Sequence, residues 1–461
     1  MSPDVSSIQR ISVFGLGKLG ACIAATLASR GFQVVGYDVD RCKTDSLERR
    51  IAPIEETRIQ KTIDEAGTRL KPTNDIEEAV AHSEALFFVP STPSLPDGSF
   101  SSEYLVRAIE SAASVMPSDS RRRPLFVINS TLTPGTCDRV LRPLLERKLR
   151  GVCGEDFGLC YNPEFIALGD VISGLLRPDF VLIGESDPCS GVLLQEVYNR
   201  LCTNSPSVEH MSMLNAELAK ISLNCAVTMK ISFVNQLSSV CAQIPGADPG
   251  IILRAIGKDR RIGLDYLKPG LGFGGPCFPR DNQLFQYVAR SVGVEAALSF
   301  ATDKINEDVN RRLLETVLAQ CSDRDSIAVL GLAYKPFTAV VDRSPGMWLC
   351  QQLTDRGRQV FAHDYFAINN AATVLAGGRI RILADPMEVL ENGCKIFVIT
   401  CPWPDYVGLF KSSTDWLSRR GAVVVDPWRL LETRLSQVRD VRYITNLGSK
   451  AANASELVAG A

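Results

Sequence analysis

A short apolar run, Ile11 to Phe14, leads into Gly15-Leu16-Gly17-Lys18-Leu19-Gly20 and then into the Ala-rich helical pattern of Ala21 to Ser29. A second β-type run, Gln33 to Tyr37, ends at Asp38, 18 residues after the third glycine (38 − 20). Alone, a Gly-x-Gly-x-x-Gly turn is a weak signal; in the order strand, turn, helix, strand, acid it specifies a doubly wound parallel sheet that binds a dinucleotide. The glycines let the backbone approach a pyrophosphate at the helix N-terminus, and the acid can bond the adenosine ribose hydroxyls. A carboxylate at position 38 would repel a 2'-phosphate, so NAD is expected rather than NADP. Arg41, three residues on, is the nearby cation that weighs the other way. Gly15, Gly17, Leu19, Gly20 and Asp38 form the expected cofactor-binding set.

The C-terminal part repeats this pattern. Ser326 to Leu330 followed by Gly331-Leu332-Ala333 echoes Ile11 to Gly17, Gln359 to Asp364 echoes Gln33 to Asp38, and Lys395 to Pro404 echoes Ala85 to Pro93. A second doubly wound unit is the economical explanation, and Ala333 in place of a second glycine argues against a second dinucleotide. Between the two repeats, Met211 to about Gln243 contains no proline and no internal glycine, with apolar residues at Leu214, Leu218, Ile221, Ala226 and Met229. The pattern predicts one helix of roughly 50 Å, long enough to join two domains. Glu217, Lys220 and Asn224 fall at i, i+3 and i+7 on one stripe of it. Such a stripe is often a solvated face, but its neighbours Ala216, Ala219, Ser222 and Cys225 are small and weakly polar, which favours burial. The fold class is α/β, with two Rossmann-like doubly wound domains joined by this helix and a helical middle domain. The expected divisions are 1–205, 206–310 and 311–461.

Composition narrows the function classes. With 461 residues, 45% hydrophobic and 22% charged, the chain has an ordinary globular make-up, and its length suggests two to four domains. A net charge of −2 without a basic stripe or long acidic run gives no reason to expect nucleic acid or anionic membrane as partners. There is no run of about 18 apolar residues, and Met1 to Arg10 is polar, so a cytoplasmic protein is expected. The fourteen cysteines lack Cys-x-x-Cys or Cys/His spacing, so neither a metal site nor a disulfide framework follows. The Ala/Ser-rich end from Lys450 is expected to lack fixed structure.

One cysteine stands apart. In Leu271 to Asp281, Leu-Gly-Phe-Gly-Gly-Pro-Cys-Phe-Pro-Arg-Asp, three glycines and two prolines specify a tight non-helical loop that presents Cys277. Its thiol reacts well only where its surroundings stabilise thiolate, and Lys268 and Arg280 flank it in sequence. A structural turn with a buried cysteine is the alternative.

Phe273 to Asp281 resembles the catalytic-cysteine signature of the UDP-glucose/GDP-mannose dehydrogenases, with Arg280 where Lys is usual. Further segments match in the same order along the chain: Pro90-Ser91-Thr92-Pro93, Ser130-Thr131 through Pro134-Gly135-Thr136, Asn162-Pro163-Glu164-Phe165, Glu217 to Asn224, and Tyr334-Lys335-Pro336. The resemblance implies oxidation of C6 of a nucleotide-linked hexose from alcohol to carboxylate with two NAD+, through a thiohemiacetal and a thioester on Cys277. It implies that Lys220 and Asp281 manage protons around a bound water and that Asn224 stabilises oxyanion character. Glu164 with Thr131 would direct the hydrolytic water, and Thr92 and Thr131 would face the cofactor. Phe273, Gly274, Tyr334 and Lys335 would join Glu164 and Lys220 in binding the sugar nucleotide, and Arg261 would reach the neighbouring subunit's sugar site in a homodimer or higher homo-oligomer. Arg261 could equally be a surface charge, and Glu164 a surface carboxylate.

The match weakens towards the C-terminus. Thr338-Ala339-Val340-Val341-Asp342-Arg343-Ser344 stands where Thr-Asp-Asp-x-Arg-Glu-Ser is usual, Asp426-Pro427-Trp428-Arg429 replaces Asp-x-Arg-Asn, and Leu168 stands where UDP-glucose members often carry Glu. Asn162-Pro163-Glu164-Phe165 favours UDP-glucose over UDP-N-acetylmannosamine, whose enzymes tend to show Ala-Pro-Glu-Arg. The same chemistry on a UDP-N-acetylhexosamine or GDP-mannose remains an alternative, as does a non-catalytic sensor of nucleotide sugar or NAD.

Overall fold

The computed structural model describes residues 8–117, 123–322, 324–375 and 379–448; the Ala/Ser-rich end from Lys450 lies outside them. The chain divides into two compact units, Met1–Leu223 with Tyr287–Gly293, and Asn224–Gln286 with Val294–Ala461.

The first unit is built on strands β1 (Arg10–Phe14), β2 (Gln33–Tyr37), β3 (Leu70–Thr73), β4 (Ala85–Phe88), β5 (Leu125–Ile128), β6 (Gly158–Tyr161), β7 (Phe180–Glu185) and β8 (Ser207–Ser212). They form one sheet in the order β3-β2-β1-β4-β5-β6-β7-β8, parallel throughout except between β6 and β7. Strands β4, Ala-Leu-Phe-Phe, and β5, Leu-Phe-Val-Ile, are buried at every residue. Helices cover both faces of such a sheet, so its inner strands read as unbroken apolar runs rather than alternating ones. Phe14, Phe88 and Phe126 stack across neighbouring strands at 4.7 and 6.0 Å between ring centroids.

The second unit repeats the plan with β9 (Ile327–Leu330), β10 (Val360–His363), β11 (Ile380–Ile382), β12 (Ile396–Ile399), β13 (Val423–Val425) and β14 (Arg442–Ile444). Its order is β11-β10-β9-β12-β13-β14, all parallel. In each sheet the order reverses beside the first strand, between β1 and β4 and between β9 and β12, and the carboxyl ends at such a reversal are where open α/β sheets bind their ligands.

Both reversals are set by a pair of glycines. At Gly15 the backbone turns with φ of +98°, and a Cβ on Gly20 would lie 1.8 Å from the Gly15 carbonyl oxygen. In the second unit Gly331 turns with φ of +113°, and a Cβ on Gly346 would lie 2.0 Å from its carbonyl oxygen. The second glycine of the pair thus lies five residues after Gly15 in one unit and fifteen after Gly331 in the other, so Gly346 falls outside the Gly-x-Gly-x-x-Gly spacing. The long helix runs from Met213 to Cys241, within two residues of expectation at each end, and carries the chain from one unit to the other. None of the fourteen cysteines forms a disulfide. Among the described residues no helix is long and apolar enough to cross a membrane.

Candidate active site

In the first unit, the crevice beside β1 holds a cavity of about 610 Å³ lined by Gly15, Gly17, Lys18, Leu19, Gly20 and Asp38, among others. Gly17 is the N-cap of helix Lys18–Ser29, and no side chain caps that end. A Cβ on Gly17 would meet nothing within 4 Å, so the turn is open on this side. Amides of an uncapped helix start facing a cavity are suited to a pyrophosphate. Asp38 accepts from the amides of Leu16 at 2.6 Å and Asp40 at 2.9 Å, and pairs with Lys43 Nζ at 3.1 Å. An ionised carboxylate has about four acceptor positions, so capacity for a ribose hydroxyl remains. These residues fit NAD.

The corresponding acid in the second unit is spent. Asp364 is wholly buried and accepts from the amides of Leu332, Ala333, Phe366 and Ala367 and from Trp403 Nε1, at 2.7 to 3.1 Å. With five donors on it, this carboxylate ties its own loops together and has no position left for a ribose. It argues against a second dinucleotide more firmly than Ala333 does.

Thr92 and Thr131 do not line the NAD cavity; they sit on the turns after β4 and β5, where the Thr92 hydroxyl donates to the Thr131 carbonyl at 2.7 Å. Ser130 Oγ likewise donates to the Pro90 carbonyl, so the two turns form one ledge. Glu164, just after β6, is partly exposed as a residue, but its carboxyl lies in a protein shell that pushes its pKa up to about 7, against the opposing pull of Tyr198 and Lys220. Tyr198 Oη lies 2.9 Å from Glu164 Oε1. Lys220 is buried, with Nζ 4.9 Å from the centre of the Phe165 ring.

The stripe of Glu217, Lys220 and Asn224 is buried as expected. Glu217, however, serves the backbone: its carboxylate accepts from the amides of Gly135 and, at 2.9 Å, Cys137. It thereby fastens the long helix to the turn that follows Thr131.

In the second unit, Cys277 is exposed, which removes the buried-turn alternative. Its carbonyl accepts from the Asp281 amide at 2.9 Å as the helix Phe278–Ser291 begins. The loop is clamped on both sides. Asn306 accepts from the Phe273 amide at 2.7 Å and returns Nδ2 to the Phe273 carbonyl at 2.9 Å, while the Gly275 amide donates to the Asp342 carbonyl at 2.9 Å. A Cβ on Gly274 would meet the Arg343 carbonyl at 2.4 Å and one on Gly275 the Tyr334 ring at 2.6 Å, so both glycines are required by close approach. Asn224 Nδ2 donates to Asp281 Oδ2 at 2.5 Å. Arg280, beside Asp281 and Cys277, is held below the usual arginine range chiefly by burial. Lys335 Nζ lies 5.9 Å from the Tyr334 ring centre. Arg261 pairs with Asp259 at 2.7 Å and its side chain is 82% exposed. Tyr198, Asn306 and the backbone role of Glu217 had no signal in the sequence, because each partner lies far along the chain or is a main-chain group.

A doubly wound sheet with an open glycine turn, an acid at the end of its second strand with acceptor capacity to spare, and a presented cysteine are the features of an NAD-linked oxidoreductase. Residues 9–202 match the NAD binding domain of the UDP-glucose/GDP-mannose dehydrogenase family, 214–308 its central domain and 328–433 its UDP binding domain. The chain belongs to that family. It is 29% identical over 452 residues to a UDP-glucose 6-dehydrogenase of Rickettsia bellii, covering 96% of this chain and all of the relative. Against a GDP-mannose 6-dehydrogenase of Pseudomonas putida it is 32% identical over 360 residues, 77% of this chain and 81% of the relative. Among solved structures, a UDP-glucose dehydrogenase from Pyrobaculum islandicum superposes with a TM-score of 0.85 at 31% identity, covering 96% of this chain and 99% of that one.

Proposed function

We propose that this chain oxidises UDP-glucose to UDP-glucuronate with two NAD+, and that it divides into an NAD-binding domain (1–205), a helical centre (206–310) and a UDP-binding domain (311–461). The observation that carries the chemistry is the exposed Cys277 on its clamped loop, one helical turn before a buried Asp281 that is bonded to Asn224. Bound NAD+ supplies the hydride acceptor in each oxidation.

In the first half-reaction Lys220 and Asp281 manage protons around a bound water, through which the proton of the C6 hydroxyl passes to Asp281 as hydride leaves C6, giving an aldehyde. The Cys277 thiolate then adds to the carbonyl carbon. Asn224 stabilises the resulting oxyanion, and loss of a second hydride leaves a thioester. Glu164, with Thr131, takes a proton from water as it attacks; thiolate departs and the uronate is released. A Glu164 carboxyl raised to about 7 suits this base role. Phe273, Gly274, Tyr334 and Lys335 are assigned to the substrate.

Identity of 31% to the Pyrobaculum enzyme across nearly the whole of both chains supports UDP-glucose. GDP-mannose is the second reading, on the strength of the Pseudomonas putida relative. Supplying UDP- and GDP-hexoses and following NADH tests both: UDP-glucose should yield two NADH per sugar consumed. One NADH per sugar would overturn the Cys277 chemistry, and no NADH from any sugar would leave a sensor.

Assembly as a dimer is part of the proposal. Met229, Phe233 and Val240 share one face of the long helix and are 41%, 52% and 50% exposed, an apolar stripe that a second copy of the chain would cover. Phe233→Glu should give a monomer by light scattering; a wild-type protein that is monomeric and fully active would end this part. The cytoplasm, as the compartment that supplies NAD+ and nucleotide sugars, completes the reading, and uronate for polysaccharide synthesis is its use.

A further inference from the structure

Tyr198 Oη faces two acceptors, Asn162 Oδ1 at 2.5 Å and Glu164 Oε1 at 2.9 Å, but a phenol has one proton to give. The orientation of Asn162 decides which receives it. Asn162 Nδ2 lies 2.9 Å from the Leu182 carbonyl, which can only accept, so the amide nitrogen is on that side and the oxygen faces Tyr198. Asn129 Nδ2 bears on the same oxygen at 3.2 Å and on the Asn162 carbonyl at 2.8 Å, which holds the arrangement from the other side. Asn162 and Tyr198 are both buried, 1% and 5% exposed. If the phenol turned to Glu164, two oxygens would confront each other across the Asn162 contact with no proton between them, which a buried pair pays heavily for.

We propose that Tyr198 is a positioning residue: it commits its proton to Asn162 and thereby leaves Glu164 to act as the donor, so that the resting enzyme carries Glu164 as a neutral carboxylic acid. The groups that face this carboxyl agree in kind. Tyr198 and Cys202 approach from the helix Pro188–Leu201 and its end, Lys220 from the long helix, and Phe165 is the adjacent residue. Lys220 is the one cation among them, and burial outweighs it. The consequence for catalysis rests on the reading of Glu164 as the hydrolytic base. The water-activating form would then be gained only by loss of the Glu164 proton and rotation of the phenol, so the oxidations can run under conditions where release of the acid is still slow.

Infrared difference spectroscopy across a pH titration of the whole protein reads the carboxyl directly, without turnover, so failure of this proposal is distinguishable from failure of the base role. In wild type a neutral-carboxyl carbonyl band should be present at pH 6, disappear with a midpoint at or above about 7, because Tyr198 withholds the bond that would lower it, and be missing in Glu164→Gln. Asn162→Leu frees the Tyr198 proton for Glu164, and should lower that midpoint by about one pH unit. An unchanged midpoint in a folded Asn162→Leu protein overturns the proposal. Should that variant fail to fold, the wild-type titration decides: absence of the Glu164 band at pH 6 overturns it equally.

Discussion

Asn224 Nδ2 donates to Asp281 Oδ2 across 2.5 Å, with both side chains buried. Because the Asp281 amide also closes on the Cys277 carbonyl, this one contact anchors the start of the helix that follows the thiol. Asn224→Asp would set a second carboxylate against the first, and two buried carboxylates in contact cannot both ionise. One pKa is then raised in the folded state, which gives stability present at low pH and lost as pH rises through that pKa. The variant should be less stable than wild type by about 2–4 kcal/mol at pH 8 in urea titrations, with most of the deficit recovered at pH 5.

The Asp38–Lys43 ion pair bears on cofactor choice. Asp38→Ser combined with Val39→Arg removes the ribose acceptor, frees Lys43 and adds a guanidinium for a 2'-phosphate. NAD should weaken by about tenfold or more, and NADP improve, in steady-state kcat/KM. Unchanged preference would remove Asp38 from the cofactor site.

Cys277 and Glu164 are assigned to different half-reactions, so their variants should fail differently. Cys277→Ala removes the nucleophile, and conversion to acid should collapse. Glu164→Gln keeps thiol and hydride acceptor but lacks the base, so about two NADH per site should appear in a burst before the rate falls. Intact-protein mass spectrometry should then find the sugar nucleotide on the peptide containing Cys277, removable by hydroxylamine. An adduct on another cysteine would overturn the reading of the loop.

The raised Glu164 pKa predicts a sign for stability. A carboxyl lifted from 4.5 to about 7 on folding favours its neutral form in the folded state. Its contribution is complete below the unfolded value and disappears as pH climbs through about 7. Wild type should therefore lose up to about 3 kcal/mol relative to Glu164→Gln between pH 4.5 and pH 7.5, read from urea midpoints at each pH. Equal pH slopes in the two proteins would contradict the raised value.

What the residues determine locally, the sequence carried by itself. The Gly15 to Gly20 turn, the acid at 38, the strands β1, β2, β4 and β5, the repeat of the pattern after Ser326 and the long helix are all specified by spacing and by turn chemistry within a few residues. The Cys277 loop was legible for the same reason, since its glycines and prolines are contiguous. Edge strands such as β3 and β14, half exposed and short, lack the apolar run that betrays a buried strand. Tertiary structure alone decided how the carboxylates are used. Asp38 and Asp364 occupy equivalent places at the ends of β2 and β10, yet one keeps capacity for a ligand and the other is consumed by five donors, two of them more than thirty residues back along the chain. Glu164 meets Tyr198 across 34 residues, and Glu217 reaches amides about 80 residues away. A carboxylate's role depends on which donors fold against it, and that is fixed by packing between elements rather than by its neighbours in sequence.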